Sequence, residues 1–223
     1  MSAHAAEAAD LHDDAHAVDH HEGDHGHGHE ELVENNYMKV PNVKLAIWTF
    51  LGSECMFFGS LIATYFFYLD KSITGLLPRE VFSIGITSIS TFILLTSSFT
   101  MAMAVDTAKS GLMGKSRNWL LITALCGATF VGFQVYEFWH FVHLGLTLQT
   151  SLFGSTFYVM TGFHGAHVSV GVIWLLMVAR LVHTGKIPAE RAVFVESAGL
   201  YWHFVDIVWI VIFTFVYLLE FAK

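Results

Sequence analysis

The sequence predicts an all-α membrane protein, a bundle of five transmembrane helices that follows a disordered N-terminal tail. Three observations predict this class: 54% of the 223 residues are hydrophobic, only 13% are charged, and the mean hydropathy is +0.55. Soluble domains carry about 25% charged residues. A chain of this composition has too little polar surface to cover its apolar residues in water, and a lipid solvent removes that requirement.

The N-terminal tail, residues 1–36, differs sharply from the rest of the chain. It contains ten acidic residues and no Lys or Arg, so its formal charge is −10 while the remaining residues carry +2. Its low complexity and lack of an apolar period predict disorder, and it does not read as a secretory signal peptide. Eight of the 14 histidines lie in this tail. Its candidate metal ligands are His20, His21, His25, His27 and His29.

The transmembrane domain, residues 37–223, contains five apolar stretches. Each is long enough to cross about 30 Å of hydrocarbon as a helix, and Gly or Pro residues lie between them. Helices are expected because a lipid-exposed backbone must satisfy its hydrogen bonds within its own segment. The predicted spans are residues 43–69, 81–105, 119–141, 153–179 and 198–221.

The basic residues outside the spans predict the orientation. Of the 11 Lys and Arg residues, eight fall on the N-terminal side of the membrane and three on the other side. Because cytoplasmic loops carry the excess of Lys and Arg, the N-terminus is predicted to lie in the cytoplasm or matrix and the C-terminus outside. No basic patch of the kind that binds nucleic acid is present in the sequence.

Glu54 is the candidate functional residue of the first span. It lies near the middle of that span among small residues, which would let another helix approach on one face. A charged side chain at the bilayer centre costs about 2.5–3.5 kcal/mol on insertion scales, so it needs a partner or a purpose. Glu54 is interpreted as a proton-related or lipid-contacting carboxyl, or as a neutral acid hydrogen-bonded to a neighbouring helix.

The third span carries a polar ladder. Gln134, Glu137, His140 and His143 follow one another at a spacing of three residues, which predicts a shared helix face. The ladder is interpreted as a set of interhelical hydrogen bonds. Ligation of a di-iron or zinc site is the alternative, because Glu-x-x-His spacing also occurs in such sites.

The fourth and fifth spans carry the remaining intramembrane candidates. His164 and His167 lie among small residues, and His164 falls at a depth that would allow it to pair with Glu137. His203 and Asp206 stand three residues apart near the inner end of the fifth span and are interpreted as a structural pair. The second span has hydroxyl groups, which suit helix packing. These residue patterns alone lead no further than a five-span protein with buried carboxyl groups and histidines.

Four sequence strings, in this order, resemble subunit III of haem-copper terminal oxidases. They are residues 53–59 (SECMFFG), 134–138 (QVYEF), 154–168 (GSTFYVMTGFHGAHV) and 201–209 (YWHFVDIVW). The family's full-length form has seven spans, and this chain is similar to the five-span bacterial version, bacterial cytochrome c oxidase subunit 3. The resemblance therefore implies a bacterial plasma membrane as the location, with one wall of the family's lipid cleft left to another chain.

The resemblance implies a non-redox, non-catalytic subunit of a proton-pumping oxidase that transfers electrons from cytochrome c to O2. Haem and copper would lie in partner subunits, and this chain would bind no cofactor except structural phospholipid. It would contact subunit I, assemble with subunit II and small subunits, and support proton uptake. By the resemblance, Glu54 corresponds to the buried carboxyl of the family. The other intramembrane polar positions of the family correspond to Glu137, His164, His167, His203 and Asp206. A quinol donor stays open, as does membership of a respiratory supercomplex.

Two hypotheses come from other classes of protein. The His-rich tail, together with His164, His167, His203 and Asp206, would suit a divalent-metal transporter, although no internal repeat supports that hypothesis. A self-contained haem b cytochrome would require two spans that present histidines at matching depth. A colourless isolated chain would exclude it.

Overall fold

The computed structural model describes residues 34–35, 40–69, 84–145, 152–187 and 192–218. Two short strands, β1 (Glu34–Asn35) and β2 (Val40–Pro41), pair in antiparallel register. The helices are α1 (Asn42–Leu69), α2 (Ile84–Lys109), α3 (Met113–His143), α4 (Leu152–His183) and α5 (Val193–Ile212). A π-helical segment, Phe213–Leu218, continues α5. Nearly all of the predicted tail, including its candidate metal ligands, lies outside the described residues.

The five helices confirm the predicted fold class, because each is long and apolar enough to cross a membrane. Their bounds are wider than the predicted spans on the N-terminal side of the membrane. The helix α2 continues to Lys109, α3 begins at Met113, α4 continues to His183 and α5 begins at Val193. Basic side chains can extend from such extra turns to the interface, so a helix need not end where the hydrocarbon ends.

The helix α5 is the most buried of the five, and it packs against α1, α2 and α4. Around it, α1 lies beside α4, α4 beside α3, and α3 beside α2. The helix α1 is the least buried. A long face of α1, which includes Met56 and Phe67, is therefore not covered by the described part of the chain.

Two tryptophans of α5 fix its contact with the surrounding helices. Trp202 lies against Gly127 of α3 and Gly171 of α4, so closely that a Cβ on Gly127 would overlap its ring. Its indole N–H donates to the hydroxyl of Ser97 on α2 at 2.9 Å. Trp209 makes the equivalent bond to Thr91 of α2, also at 2.9 Å. The hydroxyl groups of the second span thus accept the indole hydrogens of the central helix.

Candidate functional site

Glu54 of α1 and His167 of α4 form the candidate site. Oε2 of Glu54 lies 3.2 Å from Nε2 of His167. The two side chains retain 17% and 19% of their exposure, so the pair lies at an accessible seam between the two helices. The other ring nitrogen of His167, Nδ1, lies 2.7 Å from the backbone carbonyl oxygen of Phe163.

The contact of Nδ1 constrains where His167 carries its hydrogen. A carbonyl oxygen only accepts, so Nδ1 of His167 must carry a hydrogen. Nε2 then accepts the proton of a neutral Glu54 carboxyl, or it donates as part of an imidazolium to a carboxylate. A hydrogen bond of either kind would contain one proton between Glu54 and His167 and leave the pair with no net charge. A neutral pair is far less costly at this depth than a lone charge.

The surroundings hold the pair in place from the bundle side. The ring of Phe58 meets His167 edge-on with centroids 5.1 Å apart, and the hydroxyl of Tyr201 on α5 donates to the His167 carbonyl at 3.0 Å. No helix that the structure describes packs against the small residues Gly52 and Gly59 of the first span. A Cβ on either glycine would have no atom of the described residues within 4 Å. Residues two apart on a helix differ by about 200° in direction, so Gly52 faces outward when Glu54 faces α4.

The polar ladder of the third span includes only part of its predicted members. Gln134 and Glu137 are buried, and each bonds to another helix. Glu137 accepts from the hydroxyl of Thr87 on α2 at 2.5 Å, and Gln134 donates to the carbonyl of Thr161 on α4 at 2.6 Å.

The prediction that His140 and His143 share this inward face is wrong. Both are exposed: His140 stacks on Tyr136 with centroids 6.4 Å apart, and Nδ1 of His143 lies 2.8 Å from the carbonyl oxygen of Trp139. The physical reason is the helix period. A spacing of three residues falls about 60° short of a full turn, so two steps rotate a side chain by about 120°.

The predicted pairing of His164 with Glu137 is not formed. His164 is fully buried, and within the described residues neither ring nitrogen has a hydrogen-bond partner. Its ring instead stacks on Trp209 at a centroid distance of 4.9 Å and an interplanar angle of 24°. Equal depth was not sufficient, because Glu137 is directed toward α2 whereas His164 is directed toward α5.

The predicted pair of His203 and Asp206 is not formed either. Nδ1 of His203 lies 2.7 Å from the hydroxyl oxygen of Ser98 on α2. Asp206 is buried beside the same serine, but its carboxyl oxygens are not in hydrogen-bond geometry with any side chain that the structure describes. Both residues of α5 thus face α2 and meet at Ser98.

The intramembrane histidines His164, His167 and His203 have different partners. His167 contacts Glu54, His164 contacts Trp209, and His203 contacts Ser98. Over the described ranges, no group of three His, Cys, Asp or Glu side chains converges in a way that could hold a metal ion.

Sequence reasoning missed an ionic cluster on the N-terminal side of the membrane. Glu196 of α5 lies 2.8 Å from Lys44 of α1 and 3.3 Å from Lys109 of α2. The cluster borders a cavity of about 320 Å³, which Asp106 and His203 also line. Glu196 was overlooked because it precedes the predicted fifth span. Basic residues flank the predicted spans on the same side of the membrane. The position of Glu196 close to them in the sequence could have indicated an ion pair.

Comparisons with known proteins agree with the fold. Residues 32–221 match the protein family described as cytochrome c oxidase subunit III. The chain is 44% identical over 177 residues to quinol oxidase subunit 3 of Bacillus subtilis, covering 78% of this chain and 86% of that protein. It is 43% identical over 182 residues to cytochrome c oxidase subunit 3 of the same organism, covering 80% and 86%.

A more distant relative covers almost the whole sequence. Cytochrome bo(3) ubiquinol oxidase subunit 3 of Pseudomonas aeruginosa is 35% identical over 206 residues, covering 92% of this chain and 93% of that protein. The family match extends over all five helices, including Glu54 and His167. The chain is therefore a multi-pass membrane protein that belongs to the subunit III family of haem-copper oxidases.

Proposed function

We propose that this chain is the non-catalytic subunit III of a proton-pumping respiratory oxidase that passes electrons from cytochrome c to O2. Haem and copper lie in partner subunits, and the chain packs against subunit I with subunit II and small subunits nearby. It lies in a bacterial plasma membrane with its N-terminus in the cytoplasm, as the distribution of Lys and Arg favours. Membership of the subunit III family supports this assignment.

The contact between Glu54 and His167 is the observation that carries the proposed role in proton uptake. Oε2 of Glu54 and Nε2 of His167 lie 3.2 Å apart, and the partial exposure of both side chains leaves the pair accessible from the seam between α1 and α4. A proton can move between a carboxyl and a neighbouring imidazole without changing the net charge of the pair. We infer that this pair supports proton delivery to subunit I.

The outward face of α1 supports a role in holding lipid and contacting another subunit. Met56 retains 78% of its exposure and Phe67 retains 60%. An apolar face of this kind requires hydrocarbon or another membrane-spanning chain as its neighbour. Bound phospholipid and a partner subunit are thus the ligands that we propose for this side of the molecule.

The test compares the complete oxidase with an oxidase from which this chain has been removed. The depleted enzyme is expected to keep its haem and copper spectra and its initial rate of O2 reduction, but to lose activity during continued turnover. An oxidase with Glu54→Gln should show the same shortened functional lifetime. Cys55→Ala is the matched control, because Cys55 is the next residue and is exposed. Loss of the redox spectra on depletion, or an unchanged lifetime in Glu54→Gln, would contradict the proposal.

A quinol is the second candidate donor. The chain is almost equally similar to a quinol oxidase subunit and to a cytochrome c oxidase subunit of one organism. The two alternatives are separated by measuring O2 consumption of the intact enzyme with reduced cytochrome c and with a quinol. Activity with quinol alone would replace cytochrome c in the proposed reaction and leave the role of this chain unchanged.

A further inference from the structure

A basic groove lies between the beginning of α3 and the end of α4, on the N-terminal side of the membrane. Its volume is about 340 Å³. The residues that line it combine three nitrogen-bearing side chains with three apolar ones: Arg117, Leu121, Leu176, Ala179, Arg180 and His183. None of them contributes to the contact between Glu54 and His167.

The guanidinium of Arg117 is held in a fixed plane at this groove. Its Nη1 donates to Nδ1 of His183 at 2.9 Å, and its Nε and Nη2 both donate to Oδ1 of Asn118, at 3.3 Å and 3.0 Å. Because Nδ1 of His183 accepts, the hydrogen of a neutral His183 ring is on Nε2. Arg117 keeps one further N–H on each terminal nitrogen, so the groove presents several hydrogen-bond donors.

The two arginines of the groove form no ion pair with a carboxylate in the part of the chain that the structure describes. The ion pairs found in the described ranges involve Lys44, Lys109 and His167, and none involves Arg117 or Arg180. Lys44 and Lys109 share the carboxylate of Glu196, whereas neither Arg117 nor Arg180 has a carboxylate partner among the described residues. A bound anion would complete this site.

The apolar part of the groove identifies the kind of anion. Leu121 and Leu176 are exposed, at 44% and 46%, and each lies about one helical turn closer to the membrane centre than the arginine of its own helix. A ligand that fits must therefore have a charged group beside the guanidinium ions and a hydrocarbon chain beside the leucines. Basic pockets between transmembrane helices bind anionic lipid headgroups, and guanidinium suits phosphate geometry.

We propose that this groove binds an anionic phospholipid, with its headgroup phosphate between Arg117 and Arg180 and an acyl chain along Leu121 and Leu176. The proposal deepens the lipid-holding part of the proposed function. The lipid site requires that the helices span a membrane, but it does not require that this chain support proton delivery. Loss of bound lipid and loss of turnover can therefore be observed independently of each other.

The test measures phosphatidylglycerol that remains bound to the intact oxidase complex, by native mass spectrometry in mild detergent. The double variant Arg117→Gln with Arg180→Gln is expected to lose one phosphatidylglycerol per chain and to rebind it about 30-fold more weakly, given the typical contribution of each arginine. The control, Lys115→Gln with Lys186→Gln, makes the same charge change at two exposed lysines of the same side. It should retain the lipid.

Further arms of the experiment define the ligand. Arg180→Gln alone tests the site without disturbing the bonds that Arg117 makes to His183 and Asn118, and it should also weaken retention. Phosphatidylcholine should not replace phosphatidylglycerol, and millimolar inorganic phosphate should not displace it. Equal lipid loss in the lysine control, unchanged retention in both arginine variants, or cross-linking of Arg117 to a carboxylate of another subunit would overturn the proposal.

Discussion

Nε2 of His167 lies 3.2 Å from Oε2 of Glu54, and this contact joins the least buried helix, α1, to α4. The contact is interhelical, and its two side chains keep some exposure. It can therefore affect both the packing of α1 and the exchange of a proton. The effect on helix packing and the effect on proton exchange can be distinguished by substitutions that preserve one and remove the other.

Glu54→Gln should preserve the packing of α1, whereas Glu54→Leu should weaken it. The amide N–H of glutamine can still donate to Nε2 of His167, but leucine leaves that nitrogen without a partner. Interhelical hydrogen bonds in membranes contribute about 0.6 kcal/mol on average and up to about 1.7 kcal/mol, so we expect a loss of this size for leucine alone. The measurement is denaturant unfolding in detergent. An equal loss of stability in both variants would show that the contact does not act through this hydrogen bond.

Gly127→Ala should destabilise the bundle by about 1–3 kcal/mol, a typical cost of overpacking. The new methyl group would overlap the ring of Trp202, which Ser97 holds in place through the indole N–H. Gly132→Ala is the control on the same helix, because nothing lies within 4 Å of a Cβ there. Thermal unfolding of the two variants checks the prediction. A control that unfolds as early as Gly127→Ala would contradict it.

Thr87→Val should lower the free energy of unfolding by about 1–3 kcal/mol, the cost of leaving a buried acceptor unsatisfied. The hydroxyl of Thr87 donates to the buried carboxyl of Glu137, and valine has the same shape without that donor. Thr96→Val is the control on the same helix, since Thr96 is exposed and bonds to the carbonyl of Phe92 on its own helix. The unfolding midpoints of the two variants are compared in one detergent. Equal midpoints would argue against an important bond to Glu137.

Glu196→Gln should destabilise the N-terminal side of the bundle only at low salt. Glu196 bridges Lys44 and Lys109, but these side chains are partly exposed, so the expected contribution is small, about 0–1 kcal/mol, and sensitive to screening. Asp106→Asn makes the same charge change at an exposed residue of the same cavity. Unfolding in low and high salt checks the prediction. An effect of Glu196→Gln that persists in high salt would indicate a contribution other than charge.

The sequence predicted the helices better than the contacts between them. Apolar length alone indicates five spans, because the bilayer sets the length that a helix requires. It does not indicate where a helix ends beyond the hydrocarbon, which explains why Glu196 was placed outside the fifth span. The helix period explains why His140 faces outward although it continues a spacing that begins at Gln134.

The partner of each polar residue required the structure, because depth along a helix says nothing about direction around it. Glu137 and His164 were placed at equal depth and yet bind different helices. For the same reason Glu54 could be identified as a candidate from its cost in the membrane, while its partner His167 could not. Hydroxyl partners such as Thr87 carry no distinguishing signal in a span that is rich in serine and threonine.

The most direct test of the account is to purify this chain in mild detergent from its native membrane, with everything that remains bound to it. The mass composition and the visible spectrum of that preparation are then recorded before and after the chain is removed. We expect co-purification with larger subunits that carry the haem absorbance, and a colourless chain after removal. A chain that is recovered alone, or one that carries haem absorbance with it, would contradict a non-redox subunit of an oxidase.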